Sequence, residues 1–296
     1  MSNKEKLIEL ISKYLGMTGK RLPDDVTAKL VELRDAETLP LAKAVYESMF
    51  DNQKMALDLD RPSCQDTGVI NFYVKAGEFF PGLGEIDGIL RAATSKTTVD
   101  SPLRHNTVSI FDEKNDGTNI GERAPFIHWE IEPGSDKLQL ESHMAGGGCS
   151  LPGRATTLMP SAGYEAIVQY VFDTMVEWGI NACPPLLVGI GIAGSVENAS
   201  ILSKRAMLRP IGSHNPNPKG AEMERLMEEG LNKLGIGPQG VSGTSSVMGV
   251  HIESAARHPS TISVGINVGC WSHRRGCIII NKDLSYEIVS HKGVRL

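Results

Sequence analysis

The sequence predicts an α/β fold: a mixed sheet with flanking helices, preceded by a helical N-terminal segment. Three observations carry this. Residues 1–60 place apolar side chains at helical spacing. Beyond them, short runs rich in Val and Ile recur between Gly and Pro signals, as strands do. Helical stretches separate those runs, and no repeat, low-complexity tract or linker interrupts them. The chain therefore reads as a single domain over 1–296, with the helical segment at about 1–60.

The elements follow in order. "MSNKEKLIELISKYLG" is a charged amphipathic helix, and helical spacing continues over 4–34 with a break near "GKRLPDD". Asp24 or Asp25 is the expected N-cap of the helix that restarts there. "LPLAKAVYESMFDNQKMALDL" is a further strong helix. In "RPSCQDTG", Pro62 stiffens the approach and Gly68 lets the chain leave by a turn, into a strand at 69–75. "GEIDGILRAATSKTTV" is a helix. "TVSIFDE", "FIHWEIEP" and "KLQLESHMAGG" are strands whose alternation suggests an antiparallel portion of sheet. "SAGYEAIVQYVFDTMVEWG" is an amphipathic helix and "LLVGIGIAG" a buried strand. The helices "SVENASILSKRAM" and "AEMERLMEEGLNKLG" follow, and the strands "STISVGINVGC" and "CIIINKDLSYEIV" close the chain.

Composition narrows the function. Hydrophobic residues make up 41% and charged residues 22%, the balance of a soluble globular protein. A net charge of −5 gives no basic footprint for nucleic acid. No apolar run reaches the ~18 residues of a membrane span. The first helix lacks the continuous apolar core of a signal peptide, so a cytoplasmic protein is expected. Five cysteines without any C-x-x-C pair argue against a disulfide framework, a zinc ribbon or a ferredoxin-type cluster.

Cys64, Cys183 and Cys270 share a context: each lies between a strand and a turn, beside Gly or Pro. They are far apart in the chain, so only the fold brings them together. Three thiolates from distant loops suit an iron–sulfur cluster that leaves one iron without a protein ligand. The bland alternative is three buried small hydrophobes. Cys149 and Cys277 fit the pattern less well, and Cys277 begins an apolar strand where packing is the expected role. The run Gly146, Gly147 and Gly148 allows backbone N–H groups to approach an anion, where a plain turn needs fewer glycines. Arg104, on a loop after Pro102, suits a bidentate grip on a carboxylate. His258, before Pro259, offers a group that titrates near neutrality, against the commoner structural histidine. Gly189, Gly191 and Gly194 spell G-x-G-x-x-G, the signature of a nicotinamide-dependent oxidoreductase. The acid expected about twenty residues on is missing, and tight strand–helix packing explains the glycines equally.

In this order "CQDTG", "PLRHN", "GGG", "ACPP" and "VGINVGC" resemble the iron–sulfur hydro-lyases that include class I fumarases and tartrate dehydratases. The resemblance covers nearly the whole chain. "AGGGCSLPGR", "GIGPQG", "SSVMGVHIESAARHPSTI" and "GCWSHRRG" look like the α subunits of the tartrate branch, whereas single-chain fumarases carry GGGS in place of "GGGCS". The resemblance implies a [4Fe–4S] cluster held by Cys64, Cys183 and Cys270, with Cys149 not a ligand. It implies that Gln65, Asp66, Arg104 and His258 line the substrate site, Asp66 and His258 orienting the hydroxyl or relaying its proton. Gly147, with Gly146 and Gly148, would contact a substrate carboxylate. The implied substrate is a small hydroxy-dicarboxylate: tartrate, dehydrated to oxaloacetate, or malate and fumarate in a two-subunit fumarase. The proton-abstracting residue is expected on a β subunit, in an α2β2 assembly, so the chain alone would hold the cluster and catalyse poorly.

Overall fold

The computed structural model describes residues 2–296. Its helices are α1 (Asn3–Lys20), α2 (Asp24–Ala36), α3 (Pro40–Asp58), α4 (Ile86–Asp100), α5 (Gly147–Ser150), α6 (Gly163–Trp178), α7 (Val196–Ala206) and α8 (Pro218–Asn232). Its strands are β1 (Val69–Gly77), β2 (Phe126–Glu132), β3 (Leu138–Ala145), β4 (Arg154–Leu158), β5 (Leu186–Ala193), β6 (Val247–Ser254), β7 (Ile262–Gly269), β8 (Arg275–Ile280) and β9 (Tyr286–Ile288). Helices and mixed sheets are present as expected, and α1–α3 form the helical N-terminal segment. The chain divides into two compact units.

The first unit comprises Met1–Asp24, Asp51–Gly146 and Arg274–Leu296. Its sheet has the order β2-β1-β3-β8-β9. β1 and β2 run parallel, and the other neighbours are antiparallel. Helix α1 starts with a capping box, Ser2 Oγ accepting the Glu5 N–H and the Glu5 carboxylate accepting the Ser2 N–H. Its buried stripe, Leu7, Ile11, Tyr14 and Leu15, joins Ile89 and Leu90 of α4 over Phe72, Leu138, Leu140, Ile278 and Ile280 of the sheet.

The second unit comprises Asp25–Phe50 and Gly147–His273. Its sheet has the order β4-β7-β5-β6, with β5 and β6 parallel and the other pairs antiparallel. Ile167 and Val171 of α6 and Met227 and Leu231 of α8 bury the apolar faces of these strands. Helix α7 lies close against β5 and β7 because glycines leave it room. A Cβ at Gly189 would sit 2.2 Å from the Ser203 carbonyl oxygen, and one at Gly191 would sit 1.9 Å from that of Ala199. A Cβ at Gly265 would sit 2.6 Å from the same Ala199 oxygen.

Three expectations are corrected. "TVSIFDE" is not a strand. Its turn-forming continuation closes on itself through Ser109 N–H to the Lys114 carbonyl and Glu113 N–H to the Ser109 carbonyl, leaving Ile110 and Phe111 exposed. The expected antiparallel portion is present where β3 pairs with β1 and β8, but β2 is not part of it and lies parallel to β1. Strands β4 and β6 carry no strand signal in the sequence reading. β6, "VMGVHIES", is buried along most of its length and so shows no alternation.

Candidate functional site

Within the first unit, the loop ahead of β1 is fixed by its own side chains. Asp66 Oδ1 accepts the Gly68 N–H at 3.0 Å and the Asn106 Nδ2–H at 3.2 Å. Thr67 Oγ1 accepts the Arg104 N–H at 3.0 Å, and Asn119 Nδ2 donates to the Arg104 carbonyl at 3.0 Å. The "CQDTG" and "PLRHN" loops are thereby interlocked through Thr67 and Asn106, two residues the sequence reading did not single out. The available signal was that each is part of its motif. Gly68 has φ of 84°, and a Cβ there would lie 2.7 Å from the Ala145 backbone, so glycine is required. A Cβ at Gly146 would lie 3.1 Å from Asp66 Oδ2. The structure therefore brings Asp66, the Arg104 backbone and Gly146 into one corner of this unit. The Arg104 side chain is exposed, as is Gln65, and Cys64 is half-buried.

The second unit holds Gly147, Gly148, Cys183, His258 and Cys270. Cys183 ends a one-turn 3-10 helix with φ of 57° and ψ of 72°, a left-handed conformation that costs a non-glycine residue about 1 kcal/mol or more. Its carbonyl accepts the Trp271 N–H at 3.1 Å, which fixes the chain at Cys183 against the residue after Cys270. Cys183 is exposed and Cys270 is buried. A Cβ at Gly148 would lie 2.9 Å from the Asn181 carbonyl oxygen, so the glycine run abuts the turn that leads to Cys183. His258 sits on an exposed loop, where the Ser260 N–H donates to Nδ1 at 3.1 Å. That bond places the proton of the neutral ring on Nε2. A Cβ at Gly194 would lie 3.2 Å from Arg257 Cα, so the last glycine of "GIGIAG" admits the His258 loop. The first two lie inside β5 with α7 against them, where no pyrophosphate turn forms.

The donor set fits a cluster as far as each unit shows it. Cys183 and Cys270 are presented by adjoining backbone, one thiol exposed, and thiolates are the usual ligands of iron–sulfur clusters. Among the described residues no three His, Cys, Asp or Glu side chains already form a metal-holding group. Cys277 behaves as packing: burial, aided by Glu141 opposite it, pushes its thiol up to about 12. A cavity of about 750 Å³ lies between α6 and α8 and is lined by Tyr164, Phe172, Met223 and Leu226 among others. None of the expected site residues lines it.

The chain matches the family described as fumarate hydratase (fumerase) over residues 8–278. It is 56% identical over 294 residues to the L(+)-tartrate dehydratase subunit alpha of Escherichia coli strain K12, covering 98% of this chain and 97% of that protein. The proteins of the same name from Shigella boydii serotype 4 and Shigella sonnei show the same identity and coverage.

Proposed function

Because the chain belongs to the fumarate hydratase (fumerase) family, we propose that it is the cluster-bearing α subunit of a hydro-lyase that dehydrates L(+)-tartrate to oxaloacetate. The observation that supports it most is the corner of the first unit, where Thr67 and Asn106 fix Asp66 beside Gly146 and present Arg104 outward. The 56% identity to tartrate dehydratase α subunits favours tartrate over malate.

Cys64, Cys183 and Cys270 would hold a [4Fe–4S] cluster. When bound, that group supplies an iron without a protein ligand, a Lewis acid that makes hydroxide a better leaving group. The chain's own residues position the substrate. Arg104 grips one carboxylate by its fork of N–H donors, and Gln65 offers an amide beside it. The backbone at Gly146, Gly147 and Gly148 approaches a carboxylate closely because no side chain intervenes. Asp66, with Oδ1 held by the Gly68 N–H and the Asn106 amide, would orient the departing hydroxyl or relay its proton. His258 presents Nε2–H to the departing oxygen. The proton on the adjacent carbon is taken by a base of a β subunit, in keeping with the name of the relatives. An α2β2 assembly in the cytoplasm completes the reading. No helix among the described residues is long and apolar enough to cross a membrane.

The test is anaerobic co-expression with a β subunit. We expect roughly four irons per α chain and turnover of L(+)-tartrate ahead of malate. Preference for malate or fumarate would move the substrate to that of the second reading, a two-subunit fumarate hydratase. Cys64→Ser, Cys183→Ser and Cys270→Ser should each strip iron and activity; variants that keep both would remove the cluster assignment.

A further inference from the structure

The central strand of the first unit, β3, pairs with β1 on one side and β8 on the other. Val69 lies opposite Ala145, and His143 opposite Arg275. The Met144 N–H donates to the Arg274 carbonyl at 3.0 Å, which extends this register by one residue. Arg274 thus enters the sheet at the end where the "CQDTG" loop enters β1 and Gly146 leaves β3. Its side chain is 1% exposed and is the largest fully buried side chain of the protein. Nε and Nη1 find no hydrogen-bond partner among the described residues. Nη2 lies 3.9 Å from the point a Cβ would occupy on Gly146, the point that Asp66 Oδ2 approaches to 3.1 Å.

A desolvated guanidinium with idle donors calls for an anion. Either way of forming a bidentate pair with Nη2 recruits one of the two idle nitrogens, Nη1 or Nε. We propose that Arg274 is a carboxylate-binding residue of the substrate site, taking one carboxylate of the hydroxy-dicarboxylate at the Gly146 corner. The substrate class rests on the hydro-lyase reading above. The two arginines then differ in kind: Arg104 meets substrate from an exposed loop, and Arg274 meets it from the buried end of the sheet.

The experiment uses the complete α–β complex with Arg274→Gln and Arg274→Lys, and two probes, L(+)-tartrate and its monoamide. In Arg274→Gln the KM for tartrate should rise roughly 30-fold or more, as when one partner of a buried charge pair is truncated. The change in kcat should be smaller, with iron content and melting temperature retained. Discrimination between acid and amide should shrink with it. Arg274→Lys keeps the charge without the fork and should fall between Gln and wild type. Unchanged KM and unchanged acid–amide discrimination in either folded variant would overturn the assignment. So would loss of iron with discrimination intact, which marks a structural role. If Arg274→Gln does not fold, Arg274→Lys gives the same readout. If the wild-type complex turns over no tartrate, the hydro-lyase reading fails separately. Calorimetric binding of tartrate to the wild-type and Arg274→Lys complexes then decides the carboxylate site alone: weaker binding to the variant upholds it, and equal binding overturns it.

Discussion

The two units fix their functional loops by different physical means. The first relies chiefly on polar tethers, beside the close packing at Gly68: Asp66, Thr67 and Asn119 bond to the backbone of "CQDTG" and "PLRHN", and Asn106 bonds to the Asp66 carboxylate. The second uses the absence of side chains. Gly189, Gly191 and Gly265 seat α7, Gly194 admits the His258 loop, and Gly148 abuts the turn before Cys183. A tether is worth about 1 kcal/mol and fails one bond at a time. Close steric packing has no such slack, because displaced atoms meet others at interior density. Damage should therefore be graded in the first unit and abrupt in the second.

The sharpest way to break that comparison is Gly191→Ala. Its Cβ would fall 1.9 Å from the Ala199 carbonyl oxygen and 2.6 Å from the Ser203 nitrogen, backbone atoms that no rotamer change can move. We expect a loss above ~3 kcal/mol in denaturant unfolding, at the upper end for overpacking. A loss under ~1 kcal/mol would mean that α7 yields, and the contrast between the units would collapse.

Next in size come the tethers. Thr67→Val removes the acceptor of the Arg104 N–H while keeping shape, and should cost about 1–3 kcal/mol. Asn106→Ala removes a donor to Asp66 and should cost about 1 kcal/mol. Because a misplaced catalytic group costs up to ~100-fold in rate, Asn106→Ala should lower kcat of the assembled enzyme well before it lowers stability. Full activity in that variant would show that Asp66 is held by other means. Arg104→Ala should lie within ~0.5 kcal/mol of wild type in stability, since its guanidinium is exposed. It should lower activity and leave the cluster spectrum intact. Loss of the spectrum would assign Arg104 a structural role.

The same contrast explains what was legible in the sequence. The motif residues proposed to carry chemistry announce themselves by type and neighbours: Cys64 and Asp66 in "SCQDTG", Arg104 after Pro102, and Cys183 before a Pro pair. The glycines of "GIGIAG" were visible too, but their job depends on α7 lying against β5, which one sequence does not reveal. Arg274 does not stand out within "GCWSHRRG": both arginines are buried, and nothing in an Arg-Arg pair says which one reaches the Gly146 corner. Register supplies that answer, placing Arg275 opposite His143 and Arg274 at the corner with Gly146. No strand forms at 107–113, because the turn-forming residues that follow outweigh its apolar alternation.

The smallest effect concerns one more tether in the first unit. His291 is fully buried, with Nδ1 2.8 Å from Ser290 Oγ and Nε2 3.1 Å from the Arg21 carbonyl oxygen. The carbonyl can only accept, so Nε2 carries the proton of the neutral ring and Nδ1 accepts from the serine hydroxyl. Burial lowers the pKa of the ring below its ordinary 6.5, with the Arg21 carbonyl acting against that shift. The unfolded chain therefore takes up the proton first as pH falls. The contribution of His291 is fully present above about pH 6.5 and is lost as pH drops from there through the lower folded value. Most carboxylates titrate nearer ~4, so the interval from ~6.5 to ~5 belongs to histidines, and comparison with a His291 variant subtracts the others. His291→Gln keeps a donor for the Arg21 carbonyl and cannot titrate. The unfolding midpoint of wild type should fall across that interval relative to the variant. Amide exchange should quicken first in β8 and β9, with the strands of the second unit unaffected. Parallel pH profiles for the two proteins would show that burial does not tune His291. Faster exchange in β5 or β7 would show that the units share their stability and would overturn the contrast between them.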